Sequence, residues 1–289
     1  MIKLEVLDRY NFDDVLGLCI EGITGLDDLK NMVKSERQKF LPYMQQYQTA
    51  ASSSQLFAIP ALDTTRVKDP SVIGPLTKSE LEKLYTQYFA AKGKPARDVY
   101  DAILNSAKES CPFCSGIGTP RNVDHFLPKS HFPQFSILPH NLVPACRDCN
   151  MGNKGHGFAI LEKDQIIHPY LDAEHFFNEQ WVHATYTSGD DESDPGVFEY
   201  HVAAPENWSD IDRSRVEKYF VDFDLSKRFR TQAAKHLKVV LGQINRNLRK
   251  GVPVEEIIED ILEPALEECE SVNHWQHGMY EALITHLSN

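Results

Sequence analysis

The sequence predicts a mainly α protein of the α+β class, in which helical regions flank a small module of short strands held together by cysteines. Apolar residues recur at helical spacing up to about residue 108 and again after residue 210. Between two cysteine pairs, at 111–114 and 146–149, the density of Gly, Pro, Cys and His rises, as is typical of small units that lack a large core. After this module, the runs 181–187 and 197–202 alternate apolar and polar residues, which predicts one β-hairpin.

Three regions are expected: a helical N-terminal region over 1–108, the cysteine-held module over 109–175, and a C-terminal region of hairpin and helices over 176–289. The 289 residues are 42% hydrophobic and 25% charged, which is ordinary for a soluble globular protein. The N-terminus carries acidic residues where a signal peptide would be apolar, and no window approaches the ~18 apolar residues of a membrane span. We therefore expect a cytoplasmic protein without a membrane partner.

Helical periodicity predicts a series of helices in the N-terminal region. They cover 11–22, 26–47, 77–91 and 96–107. Pro42 falls inside the second of these and predicts a kink. The third begins with Thr77 and Glu80, which have the spacing of a capping box. Residues 50–76, rich in Ser, Thr and Pro, predict a long connection.

The C-terminal region begins with the predicted hairpin, whose strands are joined by an acidic turn at 189–196. The remainder predicts helices. They cover 210–220, 226–249, 254–269 and 273–287. Gly251 and Pro253 lie between the second and third of these, at positions that favour the end of one helix and the start of another.

Four cysteines form two CxxC pairs with 31 residues between them: Cys111, Cys114, Cys146 and Cys149. Each CxxC turn lets two sulfurs face one ion, so the doubled spacing predicts a tetrahedral zinc site. Four protein ligands leave no place for water or substrate, and such a zinc is structural. Disulfides or buried thiols are the alternative, and Cys19 and Cys269 are expected to be ordinary thiols.

A second set of polar residues, Asp124, His125 and Asn150, lies inside or just after the cysteine pairs. A strand, a loop, a second strand at 142–145 and a short helix from residue 147 would bring them to one hollow. Carboxylate and amide oxygens suit Mg²⁺ or Mn²⁺, and a histidine beside them suits a general base. Because adjacent strand residues point to opposite faces, the first strand must end or bend at Asp124 and His125.

This pattern resembles the HNH endonuclease family with its ββα-metal motif and zinc knuckles. The matching residues are Asp124, His125, Pro128, Asn141-Leu142-Val143-Pro144, Cys146, Cys149, Asn150 and Lys154. The resemblance implies that His125 is the general base and that Asp124 and Asn150 bind a catalytic Mg²⁺ or Mn²⁺. It also implies that Asn141 is the structural asparagine of the catalytic set, holding the loop of His125. The family name has His where this chain has Asn150.

A wider resemblance is to bacterial HNH proteins that accompany an ATPase in anti-phage systems of the Septu type. It includes Ala96-Arg97-Asp98-Val99-Tyr100-Asp101, the first CxxC pair, Pro128-Lys129-Ser130, Phe132-Pro133 and His168-Pro169-Tyr170. This resemblance implies an ATPase partner and an antiviral defence role.

The net charge of −12 argues at first against a nucleic-acid partner, but the charges are unevenly distributed. Residues 225–250 contain eight Lys and Arg and no acidic residue, and residues 251–289 contain no Lys or Arg. On the predicted helix, Lys235, Lys238, Arg246 and Arg249 fall on one face. This face is suited either to a nucleic-acid backbone or to the acidic helix that follows. Lys129, Arg147 and Lys154 flank the predicted hollow and are candidates for phosphate contacts.

The leading hypothesis is a metal-dependent HNH endonuclease that hydrolyses phosphodiester bonds, with a structural Zn²⁺ and DNA favoured as substrate. The alternatives are a catalytically silent zinc-stapled binding subunit and an RNA-cleaving HNH nuclease.

Overall fold

The computed structural model describes residues 1–7, 9–155, 157–189 and 195–289. Most of the predicted acidic turn, residues 190–194, lies outside this range. The chain divides into two compact units. The first contains residues 3–112 and 118–172, and the second contains residues 1–2, 113–117 and 173–289. The three regions expected from the sequence, with boundaries after residues 108 and 175, stay a prediction.

The first unit is built from helices and two small antiparallel sheets. The helices are α1 (Phe12–Gly22), α2 (Asp27–Ser35), α3 (Leu41–Ser52), α4 (Lys78–Lys83) and α5 (Arg97–Ser106), and the strands are β1 (Ser71–Ile73), β2 (Leu76–Thr77), β3 (Asn122–His125) and β4 (Leu142–Ala145). Strand β1 pairs with β2, and β3 pairs with β4. Tyr47 and Phe135 are buried with ring centroids 5.0 Å apart, so the aromatic core of this unit extends from α3 to the β3–β4 loop.

Two predictions for the N-terminal helices need correction. The helix expected over 26–47 is broken before Pro42, by a 3₁₀ turn at Arg37–Phe40. Pro42 itself lies in the first turn of α3, where a missing backbone N–H leaves no helical hydrogen bond unmade. Residues 50–76 were expected to be a connection and contain β1, a strand too short for periodicity to reveal.

The capping box at Thr77 is confirmed. The Thr77 hydroxyl accepts a hydrogen bond from the Glu80 backbone N–H, and the Glu80 carboxylate accepts one from the Thr77 N–H at 2.8 Å. The helix that follows continues past α4 as a π-helical segment, Leu84–Phe89. This segment places Tyr85 and Phe89 on neighbouring turns, with ring centroids 5.7 Å apart.

The second unit contains the predicted hairpin and helices. They are α6 (His175–Asn178), β5 (Val182–Thr187), β6 (Val197–Val202), α7 (Asp210–Asp222), α8 (Leu225–Arg249), α9 (Val254–Ile257), α10 (Glu263–Glu267) and α11 (Trp275–Leu287). The hairpin is antiparallel, with Val182 opposite Val202, and both α8 and α11 pack on it. Trp181, Tyr219 and Phe229 are fully buried in its core.

The helix predicted over 254–269 is divided by a π-helical segment, Ile258–Leu262. Pro264 is the second residue of the next helix and lies in the first turn of α10. Proline has no N–H to donate to the preceding turn and crowds it, which accounts for the change in helical hydrogen bonding at this point. The fold class is nevertheless as predicted: mainly α, with small two-stranded sheets.

Candidate functional site

The four predicted cysteines form a cluster. The sulfur atoms of Cys111, Cys114, Cys146 and Cys149 all lie within 4.8 Å of one another, and all four residues are buried. The Cys146 backbone N–H also donates to the Cys111 sulfur at 3.4 Å, a contact that stabilises a thiolate. Tetrahedral zinc with Zn–S bonds of ~2.3 Å needs this kind of gathered arrangement. These cysteines are positioned to bind a zinc ion.

The two strands between the cysteine pairs end where the predicted site residues begin. In the β3–β4 pair, Asp124 lies opposite Val143 and His125 lies opposite Leu142, at the last position of β3. A short π-helical segment, Asp148–Lys154, follows β4 and begins between the cysteines of the second pair. The order strand, strand, short helix therefore follows the prediction.

Asp124, His125 and Asn150 line one pocket of about 500 Å³. The other residues of its wall are Tyr85, Ala90, Tyr100, Asn122, Val123, Pro128, Lys129, Met151 and Gly155. The two neighbours Asp124 and His125 share this pocket because β3 ends at His125, as the alternation of strand residues required. The structure thus brings together the three residues to which the sequence assigned a shared site.

The His125 ring is buried and held by two neighbours. Its Nε2 donates a hydrogen bond to the Ser136 carbonyl oxygen at 2.8 Å, and the Tyr85 ring packs edge-on against it at 4.3 Å. Since a carbonyl can only accept, Nε2 carries the proton and Nδ1 of the neutral ring has a free lone pair. Burial lowers the pKa of His125 to about 3; the Ser136 bond raises it, and the charges of Lys129 and Lys154 lower it.

Asp124 has a lysine beside it. The Lys154 ammonium lies 3.1 Å from Asp124 Oδ2 and donates a hydrogen bond to the His125 carbonyl oxygen at 2.6 Å. The side chain of Lys154 is only 4% exposed. Asp124 Oδ2 is buried and, despite this ion-pair distance, has no partner aligned for a hydrogen bond. Lys154 is therefore placed as a counter-ion of Asp124, which does not support the predicted phosphate contact.

Asn141 is fully buried, is absent from the pocket wall and fixes the loop that follows His125. Its Oδ1 accepts from the Leu127 N–H at 2.7 Å, and its Nδ2 donates to the carbonyl oxygens of Leu127 and Phe135 at 3.0 and 3.2 Å. The Tyr47 hydroxyl donates to the same Oδ1 at 3.0 Å. Asn141 thus hydrogen-bonds the backbone of the loop that follows His125, which is the contact that the HNH resemblance implies for it.

The network around Asn141 continues to the segment 168–170. The Tyr170 N–H donates to His168 Nδ1 at 3.2 Å, which puts the proton of this ring on Nε2. His168 Nε2 lies 3.1 Å from the Tyr47 oxygen and donates to it, so the Tyr47 proton is directed to Asn141. Each donor in this buried chain has an acceptor, which is the condition under which a polar network stabilises a fold.

We expect Asn141→Ala to lower the free energy of unfolding by about 3 to 5 kcal/mol, because several buried donors and acceptors lose their partner together. Urea denaturation followed by circular dichroism measures this change. The matched control is Asn105→Ala, an exposed asparagine on α5, for which we expect a change below about 0.5 kcal/mol. Equal stability of the two variants would contradict the positioning role.

The remaining predicted contacts are distributed over both units. Lys129 lines the pocket, with its ammonium 6.0 Å from the centroid of the Tyr85 ring. Arg147 is exposed at the start of the Asp148–Lys154 segment and is not part of the pocket wall. The four predicted cations of α8, in the second unit, are all exposed. They are Lys235, Lys238, Arg246 and Arg249.

The sequence gives no indication that Tyr85 belongs to the wall of this pocket. Besides packing on His125, its hydroxyl donates to the Val123 carbonyl oxygen at 2.8 Å and so ties the helical segment to β3. Along the chain Tyr85 is one of several aromatic residues at helical spacing, and such residues usually belong to a core. Forty positions separate it from His125, so no local signal marks the contact.

Fold and site together define a mainly helical protein with a zinc-binding module of four cysteines. The chain belongs to the family of protein ea31 of Escherichia phage lambda. The two proteins are 40% identical over 289 residues, which covers 96% of this chain and 95% of ea31.

A more limited similarity is found with the Septu protein PtuB of Bacillus thuringiensis. Identity is 33% over 75 residues, which is 25% of this chain and 28% of PtuB. With the four-cysteine cluster, this similarity fits a zinc-binding module of the HNH-like kind. No protein-family model and no solved structure matches the chain. In the described residues, no helix is both long and apolar enough to cross a membrane.

Proposed function

We propose that this protein is a metal-dependent HNH endonuclease that hydrolyses phosphodiester bonds. The observation that carries the proposal is the pocket in which Asp124, His125 and Asn150 meet at the end of a two-stranded hairpin. A carboxylate, an amide and a buried imidazole in one pocket are the groups that metal-assisted hydrolysis uses. The resemblance to HNH endonucleases assigns roles to the same three residues.

The chain's own residues perform defined tasks in this proposal. His125 takes the proton of the attacking water at Nδ1, while the Ser136 carbonyl fixes the ring through Nε2. Asn141 keeps the loop after His125 in place, so that the base cannot rotate away from the pocket.

Asp124 and Asn150 would hold Mg²⁺ or Mn²⁺. The donor set fits a hard cation because the Asp124 carboxylate and the Asn150 amide oxygen share one wall of the pocket. Two protein ligands suit Mg²⁺, which usually keeps several of its waters. When bound, the ion would supply positive charge that stabilises the developing negative charge on the phosphate and the leaving oxygen.

The biological setting is also a proposal. Similarity to a Septu protein supports a role in anti-phage defence with a protein partner, and the resemblance to the HNH proteins of such systems specifies an ATPase as that partner. DNA is favoured over RNA as the substrate on the resemblance to HNH endonucleases. The cytoplasm is the place where such a nuclease would meet invading DNA.

The test of this function is cleavage of plasmid DNA and of a structured RNA by the parent chain and by Asp124→Ala. We expect cleavage that requires Mg²⁺ or Mn²⁺, and a loss of at least about a hundredfold in the variant. Binding of Mn²⁺, followed by electron paramagnetic resonance, is expected to weaken in parallel. Asp148→Ala is the matched control, since Asp148 is an exposed carboxylate of the same module that does not line the pocket.

The outcomes separate the alternatives. Metal-dependent cleavage of RNA but not DNA would establish the RNA nuclease. Absence of cleavage of either substrate with either ion would favour the catalytically silent binding subunit. Equal cleavage by Asp124→Ala and the parent would refute the assigned metal site.

A further inference from the structure

Helix α8 carries a face of cations that form no salt bridge with any acidic side chain that the structure describes. The exposed positions of this face are Lys227, Lys235, Lys238, Arg246 and Arg249. The opposite side of the helix is buried in the second unit. Its buried residues are Leu225, Phe229, Ala233, Leu237, Val240 and Ile244. The helix is therefore anchored by one side and presents the other to solvent.

The acidic helix that follows does not cover this face. The structure, within its described residues, contains no salt bridge between the cations of the face and an acidic side chain. The acidic side chains of residues 254–268 are themselves exposed. They are Glu255, Glu256, Glu259, Asp260, Glu263, Glu267 and Glu268. Of the two roles that the sequence left open for the basic face, pairing with these acids is the one that the structure does not show.

The cations are arranged as a regular line. Lys235 and Lys238 lie one turn apart, and Arg246 and Arg249 repeat this pair 11 residues later. Eleven residues are three helical turns, so the two pairs share a face about 16 Å apart along the axis. Gly242 lies between them and has nothing within 4 Å of the position a Cβ would take, which leaves the backbone there open.

We infer that this face of α8 binds the phosphodiester backbone of nucleic acid. A line of cations with an open glycine at its centre fits a linear polyanion, whose phosphates select for Lys and Arg without reading sequence. The core of a protein interface would instead be enriched in aromatic residues and Met, and residues 227–249 expose none on this face. The exposed apolar residues of the helix, Val239 and Leu248, lie at its margins.

The inference deepens the proposed function and rests on it for the choice of nucleic acid as the polyanion. It is also compatible with the negative net charge of the chain. A chain of net charge −12 repels nucleic acid at long range, so contact has to be made through a local concentration of cations. Residues 225–250 supply such a concentration, with eight Lys and Arg and no acidic residue.

The experiment measures binding without cleavage, so that it can fail separately from the nuclease proposal. Every protein carries His125→Ala, and the probes are a fluorescein-labelled 30-base-pair DNA duplex and an RNA duplex of the same length. The test variant changes four residues of the face to Gln: Lys235, Lys238, Arg246 and Arg249. Fluorescence anisotropy is recorded at several salt concentrations, and thermal unfolding verifies that each protein is folded.

We expect the test variant to bind at least tenfold more weakly than its parent at 0.1 M salt. We also expect the slope of log affinity against log salt to fall by about 3.6, since each of the four lost phosphate contacts removes about 0.9. A matched control changes four exposed lysines elsewhere to Gln and so loses the same net charge. They are Lys34, Lys68, Lys92 and Lys163.

Loss of binding in the test variant and not in the control supports the inference, and the duplex that binds more tightly identifies the nucleic acid. Equal losses in both variants, or no binding by the parent protein, would overturn it. Tighter binding of the parent to polyglutamate than to either duplex would also overturn it, because the face would then be suited to an acidic protein.

Discussion

Replacing Cys146 with serine is expected to abolish zinc binding and to unfold the module between the cysteine pairs. Structural zinc contributes about 10 to 16 kcal/mol of apparent folding free energy in small zinc-binding peptides, and one lost thiolate forfeits most of it. The strands β3 and β4 are four residues each and, in the part of the chain that the structure describes, pair only with each other. Two such strands are not stable alone, so we expect zinc to stabilise them together with their packing on α5.

Zinc content measured by mass spectrometry and thermal unfolding measured by circular dichroism test this expectation. The parent chain should contain one zinc per molecule, and Cys146→Ser should contain little or none and unfold at a markedly lower temperature. Cys269→Ser is the control, because Cys269 lies outside the four-cysteine cluster. Unchanged zinc content in Cys146→Ser, or disulfides in the purified parent chain, would refute the zinc site.

The second large effect is expected on catalysis. Replacing His125 with alanine should reduce cleavage by about 10²- to 10⁴-fold, the usual contribution of a general base. Gln in place of His125 tests the base separately from the packing, since its side-chain amide reaches about as far as Nε2 and can still donate to the Ser136 carbonyl but cannot accept the proton. We expect both variants to retain zinc and to remain folded, with a lower unfolding temperature for His125→Ala because it leaves a buried cavity.

Two comparisons make the result specific to the imidazole. Added imidazole should partly restore cleavage by His125→Ala, because the variant leaves a ring-sized space beside Tyr85. His131→Ala removes a histidine of the same module that does not line the pocket, and we expect it to cleave like the parent. If His125→Ala cleaves as well as the parent protein does, the proposed mechanism is wrong.

The parts of this structure that follow from sequence are those with a local cause. The capping box at Thr77, the hairpin β5–β6 and the cysteine cluster each depend on residues whose spacing fixes their geometry. Asp124 and His125 could be assigned to one pocket because β3 ends there. Asn150 could be added because it follows Cys149 directly, and a clustered cysteine restrains its neighbour.

The parts that do not follow from sequence depend on distant residues. The burial of Lys154 against Asp124 joins residues thirty positions apart, and a lysine on a helical segment is usually solvated. The break before Pro42 follows from a 3₁₀ turn at 37–40 that has no proline or glycine to announce it. The exposure of the cationic face of α8 could not be predicted from the sequence, because it depends on where the acidic residues after this helix lie in the fold.

Hydrogen bonds to residues far upstream have a consequence for the evolution of this site. The Tyr47 hydroxyl holds Asn141, and the Tyr85 hydroxyl holds Val123, so two tyrosines of the N-terminal helices support a module that begins more than twenty residues later. The module therefore depends on hydrogen-bond donors that lie outside its own stretch of sequence. A lineage that moved it into another protein would have to recruit new donors for both positions, which restricts how freely this zinc-binding unit can be transferred between genes.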